Sequence, residues 1–327
     1  MKPYEKVHSS FAEQQALLAS RGMQVADKDA CDHALRTIGY YRLSGYWYPL
    51  REPIFAESPG GEERIIGRLD AFIENATFDQ VMSLWTFDSQ LRILILQAIE
   101  QVEIATRVAC AYTLGTDGPF AHLEPKLLDA KFTKPIEDEE GVPGLSRHDL
   151  WLAEIREHQA NRDDDFVVHH EITYGGDLPI WVLVEILQFG QLMQLQSALP
   201  WSHKLDVARL LAVDSPETVQ GWLAALIGLR NKAAHQARLW NASFPLPKRA
   251  KSGTIPDLEH LRLLPKKGKH GIYNHLCMLK YLMIKFDPHS SWHSEFAALL
   301  DNFPAVPFQS LSNAGFPADW RNQALWS

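Results

Sequence analysis

Apolar residues recur every three to four positions along most of this 327-residue chain, a period that predicts α-helices rather than strands. The longest such stretch begins at Thr77, where Gln80 completes a capping box, and it keeps its period as far as Gly115. Polar residues interrupt the apolar run, so we expect Asp88 or Ser89 to divide it into two helices. The pattern predicts an all-α, mainly helical fold.

The same periodicity divides the rest of the chain into helices and irregular connections. Helices are predicted between Ser10 and Gly22 and over residues 28–38, 148–160, 178–190, 271–286 and 291–302. Between the helices, the pattern predicts a packed turn or short strand over residues 40–51 and a loop or β-hairpin over residues 52–67. It predicts an irregular excursion over residues 117–147 and a loop over residues 242–270. We expect residues 1–70 to form a helical and aromatic region packed on a main domain of residues 71–327, unless residues 1–327 are one continuous domain.

A further helix is predicted to begin at Ser215, because an N-cap serine is followed there by Pro216 and Glu217. Apolar residues at helical spacing continue to Ala237. The C-terminal part of this helix carries the run RNKAAHQARLWN, residues 230–241. The arginine and the histidine of this run have the spacing R-x4-H.

Three side chains of this run suit phosphodiester chemistry. His235 is of the residue type that acts as acid and base near neutral pH. Arg230 offers a guanidinium fork that matches a phosphate, and the amide of Asn231 can hold a partner or a leaving oxygen. At about 100° per residue, Asn231, His235 and Arg238 share one stripe of the helix. The alternative interpretation of the same spacing is an exposed helix end that carries a charge pair and a capping histidine.

Helical geometry separates the arginine of this motif from the histidine. Arg230 lies about 140° from His235 around the helix axis, so one helix does not easily aim both at a single phosphate. A second copy of the helix, packed antiparallel across a twofold axis, would supply the missing partner. We therefore expect a homodimer of about 74 kDa from the 37.1 kDa chain. Trp222, Leu226 and Leu229 are its candidate contacts, with the two His235 side chains facing each other across a basic cleft.

The composition excludes several classes of protein. A hydrophobic content of 46% and a charged content of 22% are those of an ordinary globular protein, and no segment approaches the roughly 20 apolar residues of a membrane span. The N-terminus lacks the apolar core of a signal peptide. Three widely spaced cysteines without a CxxC pair favour a cytoplasmic location over a disulfide framework or a zinc site. No glycine-rich phosphate loop occurs, and we expect neither a cofactor nor a metal.

The charge of the chain is unevenly distributed. The net charge is −8, yet residues 230–270 contain ten Lys and Arg residues and two acids. Such a segment is typical of a nucleic-acid-binding surface and also of a solvated loop. The cations that we assign to RNA binding are Lys232, Arg238, Lys248, Arg249, Lys251, Lys266, Lys267 and Lys269. On the longest helix, Glu103 and Arg107 form an i,i+4 pair that is either a surface ion pair or a support for the motif helix.

Five sequence blocks occur in a specific order along the chain: YYRLSGYWYPLR, LWTFDSQLRILILQAIEQVEIATR, DLPIWVLVEILQFG, LRNKAAHQARLWN and GFPADW. Together, from about residue 8 to residue 326, they resemble the Abi (abortive-infection) family of bacterial phage-resistance proteins, in its AbiD/AbiF branch. That family is similar to the HEPN proteins, whose R-x4–6-H motif cuts RNA without a metal. The resemblance implies a HEPN-like helical bundle with an N-terminal helical extension and long loops. It also implies that Arg230, Asn231 and His235 occupy the motif positions.

These observations lead us to expect a metal-independent endoribonuclease that acts as the toxic effector of abortive-infection phage defence. His235 would be the general acid–base, Arg230 would stabilise charge on the phosphate, and Asn231 would orient His235 or the backbone phosphate. The downstream cations would guide the RNA, and the products would carry 2′,3′-cyclic phosphate or 3′-phosphate ends. A second hypothesis is a non-catalytic RNA-binding module, held silent by a small regulatory RNA or paired with a protein antitoxin.

Overall fold

The computed structural model describes residues 7–57, 63–137, 139, 141–264 and 271–326. Within these residues the fold consists mainly of α-helices, which confirms the predicted all-α class. The thirteen α-helices of the described residues are α1 (Phe11–Ser20), α2 (Lys28–Thr37), α3 (Tyr40–Trp47), α4 (Phe78–Leu114), α5 (Ala130–Thr133), α6 (Arg147–Ala160), α7 (Asp165–Tyr174), α8 (Ile180–Ile186), α9 (Phe189–Ala198), α10 (Trp201–Leu210), α11 (Pro216–Ala234), α12 (Tyr273–Phe286) and α13 (Trp292–Asp301).

Two small antiparallel hairpins accompany the helices in the described residues. In the first, β1 (Arg51–Glu57) pairs with β2 (Glu63–Phe72), and Ile54 lies opposite Gly67. This confirms the hairpin alternative for residues 52–67. The second, formed by β3 (Pro135–Glu137) and β4 (Pro143–Ser146), lies in the segment predicted to be irregular.

Helix α4 is continuous over 37 residues, so the expected division at Asp88 or Ser89 is wrong. Its predicted start is confirmed, since Thr77 and Gln80 form a capping box. Aspartate is unfavourable in the interior of a helix because its carboxylate competes for nearby backbone N–H groups. Asp88 is fully buried and its carboxylate accepts hydrogen bonds from distant groups instead, so it does not interrupt its own helix.

Helix α4 lies at the centre of the fold. It packs against α3 and against each helix from α8 to α13. Buried residues follow one another along it at helical spacing, among them Leu84, Leu91, Ile95, Ala98 and Val102. The Trp292 indole of α13 donates a hydrogen bond to the Leu94 carbonyl at 2.8 Å, which fixes the C-terminal part of the chain against the middle of α4.

Residues 40–51 form a helix followed by a 3-10 turn, so the predicted packed turn or short strand is wrong for most of the segment. Gly39 precedes the helix with φ 94°, a conformation that glycine adopts without strain. Leu43, Tyr46 and Trp47 are buried on one face at spacings of three and one. The aromatic density of this segment therefore reflects core packing by a short helix.

The apolar segment of residues 178–190 contains the end of one helix and the start of another. Helix α8 ends at Ile186 and α9 begins at Phe189, with Leu187 and Gln188 extended between them. The side chain of Gln188 caps α9, because Gln188 and Gln191 form a reciprocal capping pair. Helices α7 and α10, and most of α9, lie where no element was predicted.

The three cysteine thiols are free and buried. Burial raises the pKa of Cys110 and of Cys277 to about 12, so neither forms a thiolate near neutral pH. In the part of the chain that the structure describes, no helix combines the length and apolar character needed to cross a membrane.

Candidate functional site

The motif helix α11 begins as predicted and ends earlier than predicted. The Ser215 hydroxyl caps its first turn, where Pro216 is the first helical residue. The helix stops at Ala234, so the expected continuation through Ala237 and Arg238 is wrong. His235 is therefore the C-cap residue, one position beyond the last helical residue.

The chain leaves α11 through a Schellman-type turn. Ala237 N–H donates to the Lys232 carbonyl and Gln236 N–H donates to the Ala233 carbonyl, both at 2.9 Å. Gln236 has φ 57°, the left-handed conformation that glycine usually supplies at this position. The Arg42 guanidinium of α3 donates to the Gln236 carbonyl at 3.0 Å, which holds the turn in place.

Because the helix ends at Ala234, Arg238 does not share a helical stripe with Asn231 and His235. Its guanidinium donates to the Gly45 carbonyl of α3 and is half-buried. Arg238 therefore attaches the segment after the motif to the N-terminal helices. The role of Arg238 in guiding RNA stays a prediction.

Arg230 and Asn231 are exposed in the last turns of α11 and line a groove of about 620 Å³ that we call the polar groove. The Arg230 guanidinium lies 3.4 Å from the Asn231 side-chain oxygen. The ionisable and amide side chains of the polar groove are Glu103, Arg107, His158, Arg162, Glu185, Gln188, Arg230 and Asn231. His235 is exposed one helical turn beyond Asn231 and is not among the lining residues of this groove.

Glu103 and Arg107 form the predicted ion pair, with 2.6 Å between Arg107 Nη2 and Glu103 Oε1. Arg107 also donates to the carbonyls of Val184 at 2.9 Å and Leu187 at 3.0 Å. These carbonyls lie at the C-terminal end of α8, where the Val184 carbonyl accepts only one long backbone bond of 3.4 Å, from Leu187 N–H. The pair therefore builds the α8–α9 wall of the polar groove, and in the described residues its hydrogen bonds do not reach the motif helix.

The three guanidinium groups of the polar groove differ in their partners. Arg107 is paired with Glu103, and Arg162 makes a two-bond pair with Asp164 at 2.6 and 3.2 Å. Within the described residues Arg230 contacts a neutral amide and no carboxylate. Arg230 is thus the guanidinium of this groove that is free to pair with an anion.

The downstream cations have varied roles. Lys232 donates to the Ser243 carbonyl at 3.2 Å and lies 4.4 Å from the centre of the Phe244 ring, so it holds the following loop. Arg249 is half-buried against the Leu264 carbonyl. The exposed cations among those assigned to RNA binding in the described residues are Lys248 and Lys251. Lys266, Lys267 and Lys269 lie outside the described residues.

A buried network that the sequence did not predict anchors the segment that follows the motif. The Asp88 carboxylate accepts hydrogen bonds from the Tyr46 hydroxyl at 2.7 Å, from Arg92 at 2.6 Å, and from the backbone N–H groups of Leu239 and Trp240 at 3.1 and 2.8 Å. Burial and the charge of Asp88 raise the pKa of Tyr46, which keeps its hydroxyl a donor. The available sequence signal was the i,i+4 acid–base pair inside an apolar stretch.

The expected dimer contacts Trp222, Leu226 and Leu229 lie in the core of their own chain. The Trp222 indole donates to the Lys248 carbonyl at 2.7 Å, so it fixes the downstream loop. The prediction that these three side chains hold two copies together is therefore wrong. They were chosen from helical spacing, which places them on an apolar face without telling what covers that face.

Comparison with protein families finds one family whose model matches most of the chain. A family model described as Abi-like protein matches residues 33–241, which is more than half of the chain. The matched region contains the whole polar groove, the Asp88 network and the R-x4-H motif, and it ends before Lys248 and Lys251. Searches of curated proteins and of solved structures give no match.

Proposed function

The chain belongs to the Abi-like protein family, and from this membership and the polar groove we propose that it is an endoribonuclease effector of abortive-infection phage defence. The observation that carries the proposal is the pairing of an unneutralised guanidinium, Arg230, with the amide of Asn231 in a polar groove next to an exposed histidine. These are the groups that a phosphodiester transfer needs when no metal supplies positive charge.

The proposed reaction uses the ribose 2′-hydroxyl of the RNA as nucleophile. A base takes the proton of this hydroxyl, O2′ attacks the phosphorus, the bond from phosphorus to O5′ breaks, and an acid protonates O5′. The products are a 2′,3′-cyclic phosphate and a 5′-hydroxyl. Arg230 stabilises the charge on the phosphate oxygens, Asn231 orients the guanidinium or the phosphate, and His235 transfers one of the two protons.

The test is RNA cleavage in the presence of EDTA. We expect wild type to cleave, and His235→Ala and Arg230→Ala each to lose about 100-fold or more in rate, the usual effect of removing an acid–base or charge-stabilising group. His33, an exposed histidine of α2, provides the matched control as His33→Ala. Equal cleavage by wild type and His235→Ala would remove His235 from the mechanism.

We propose a homodimer because His235 does not line the polar groove of its own chain. In such a dimer, His235 of the partner subunit would face Arg230 and Asn231 in the groove. The surface beside the groove suits a second copy: exposed apolar side chains of α4 and α8, namely Val108, Tyr112 and Trp181, adjoin it through Glu185, which lines both surfaces. Burial of these side chains would bring a second copy next to the groove.

A second candidate function is RNA binding without cleavage. The observation that favours it is the exposure of Lys248 and Lys251 in a loop beyond the family-matched region. Such a loop could bind a small regulatory RNA through its phosphates. Purification from cells separates the two functions, since a discrete RNA bound to protein that never cleaves RNA supports binding alone. A tightly bound second protein in place of RNA would indicate a protein antitoxin.

A further inference from the structure

The polar groove contains an imidazole that the R-x4-H motif does not include. His158 lies in the last turn of α6 and lines the groove together with Arg230 and Asn231 of α11. We propose, on the basis of the ribonuclease function above, that His158 is the second proton-transfer residue of the site. It would act on the same phosphodiester that Arg230 binds.

The chemistry of the proposed reaction requires two proton transfers, one from O2′ and one to O5′. A single histidine can perform both only in sequence, whereas two imidazoles, one neutral and one protonated, perform them in one passage through the transition state. The motif supplies one imidazole, His235. The groove supplies the other, His158, from α6.

His158 is chemically available, unlike several other histidines of the chain. Within the described residues its half-buried ring makes no hydrogen bond, ion pair or ring contact. By contrast, the ring of His148 is bonded to the His122 carbonyl, that of His170 to the Phe166 carbonyl, and that of His293 to the Asp287 carbonyl. An imidazole that lines a groove and has no protein partner is free to exchange protons with a ligand.

The backbone that carries His158 is firmly held. Trp151 and Ile155, on the preceding turns of α6, are buried, and the Trp151 indole donates to the Gln191 carbonyl of α9 at 3.2 Å. The next residue, Gln159, donates to the Gly176 carbonyl at 2.8 Å. Fixed positioning of this kind is what proton transfer to a bound ligand needs.

The charges around His158 favour an anionic ligand. The groove contains three guanidinium groups, of Arg107, Arg162 and Arg230, and two carboxylates, of Glu103 and Glu185. Glu103 pairs with Arg107, and Asp164, beside the groove, pairs with Arg162, so Arg230 is the guanidinium of the groove that pairs with no carboxylate of the described residues.

The test compares His158→Ala, His235→Ala and the surface control His33→Ala in RNA cleavage across pH, in EDTA. We expect a bell-shaped rate profile for wild type and for His33→Ala. His158→Ala should lose about 100-fold or more at the optimum and should also lose one limb of the bell, because the group that titrates there is gone. Full activity in His158→Ala, or a loss that leaves the bell shape intact, would overturn the assignment.

A binding measurement separates this inference from the proposed function. Uridine 3′-monophosphate, a product analogue, is titrated into each full-length variant at pH 6 without metal. We expect His158→Ala and Arg230→Ala to weaken binding by about tenfold each, the size of one charge-assisted hydrogen bond, and His33→Ala to leave it unchanged. If wild type binds in this way but cleaves no RNA, the ribonuclease proposal fails. If wild type cleaves RNA and His158→Ala binds the nucleotide as tightly as wild type, the assignment of His158 fails alone.

Discussion

The buried carboxylate of Asp88 accepts a hydrogen bond from the backbone N–H of Trp240 at 2.8 Å, across 152 positions of sequence. The same carboxylate accepts the N–H of Leu239 and pairs with Arg92. A side chain in the middle of α4 thereby fixes the segment that leaves the motif helix. The position of His235 thus depends on a residue that has no part in the proposed chemistry.

Asp88→Asn should destabilise the protein strongly. The substitution keeps the size of the side chain and leaves the buried Arg92 charge without its partner, which costs about 3–5 kcal/mol in comparable buried pairs. The measurement is the free energy of unfolding in urea. Ser89→Ala, at the neighbouring position of α4, is the control and should change it by less than about 0.5 kcal/mol. A decrease below about 1 kcal/mol for Asp88→Asn would show that the network does not anchor the segment.

The protein should lose stability as the pH falls from neutral towards 4. Burial lowers the pKa of His122 and of His275 to about 4, with His148 and Lys232 adding to the respective shifts. Between that value and the ordinary histidine pKa of about 6.5, the unfolded chain binds more protons than the folded chain. Each histidine therefore contributes stability that is present above about pH 6.5 and declines by roughly 1.4 kcal/mol per pH unit below it.

Urea unfolding at pH 7, 6 and 5 measures this decline. His122→Gln and His275→Gln should each reduce the dependence of stability on pH, whereas His33→Gln, at an exposed position, should leave it unchanged. An identical pH dependence in wild type and in the double variant His122→Gln/His275→Gln would contradict the prediction.

Gln236→Gly should stabilise the end of the motif helix. Gln236 has φ 57°, a conformation that costs a residue with a side chain roughly 1 kcal/mol relative to glycine. The bond from Arg42 to the Gln236 carbonyl does not need the side chain, although glycine cannot provide the second acceptor, Oε1, which lies 3.3 Å from Arg42. We expect a higher melting temperature for Gln236→Gly and a lower one for Gln236→Val, whose branched side chain is least compatible with this conformation. A lower melting temperature for both would mean that the bond from Arg42 to Oε1 outweighs the backbone strain.

Mixing two inactive variants should restore ribonuclease activity if the site is shared between copies. In an exchanged mixture of Arg230→Ala and His235→Ala, half of the dimers carry both chains, and each of these has one complete composite site. The recovered activity should be about one quarter of wild type. If Arg230 and His235 act within one chain, the mixture stays inactive. Val108→Glu combined with Tyr112→Glu should yield monomers by light scattering and abolish the recovery, since two charges would occupy the apolar surface beside the groove.

RNA binding should depend on Lys248 and Lys251 through charge alone. Replacing both lysines with alanine should weaken the binding of all RNA sequences about equally. It should also reduce the slope of log affinity for RNA against log salt concentration by roughly 0.7 for each phosphate that the protein no longer neutralises. Filter binding between 50 and 200 mM salt measures this slope, and Lys28→Ala, at an exposed position of α2, is the control. An unchanged slope would exclude these two lysines from the RNA-binding surface.

Local sequence signals were sufficient for elements whose ends are determined by nearby residues. The capping boxes at Ser10 and Thr77 and the N-cap at Ser215 each place a side-chain acceptor within three residues of the N–H groups it satisfies, so the starts of α1, α4 and α11 were predictable. The R-x4-H motif and the Glu103–Arg107 pair were likewise visible as spacings. Helix periodicity also predicted the all-α class.

Long-range contacts decided the features that the sequence did not predict. Helix α4 continues through Asp88 because the bonds that satisfy this carboxylate come from α3 and from residues beyond the motif. Helix α11 ends at Ala234 because Arg42 and the Asp88 network hold the chain in a turn, although helical spacing continues to Ala237.

The composition of the polar groove also follows from tertiary structure alone. Glu103, His158, Glu185 and Arg230 belong to four different helices, and no spacing along the chain relates them. The sequence by itself determined the helical class, three helix starts and the residues suited to phosphodiester chemistry, since each depends on neighbours within a turn or two. The packing of α4, α6, α8 and α11 decided which of those residues share a groove. The partners of a side chain on other helices depend on how the helices pack to bury the apolar residues of the whole chain.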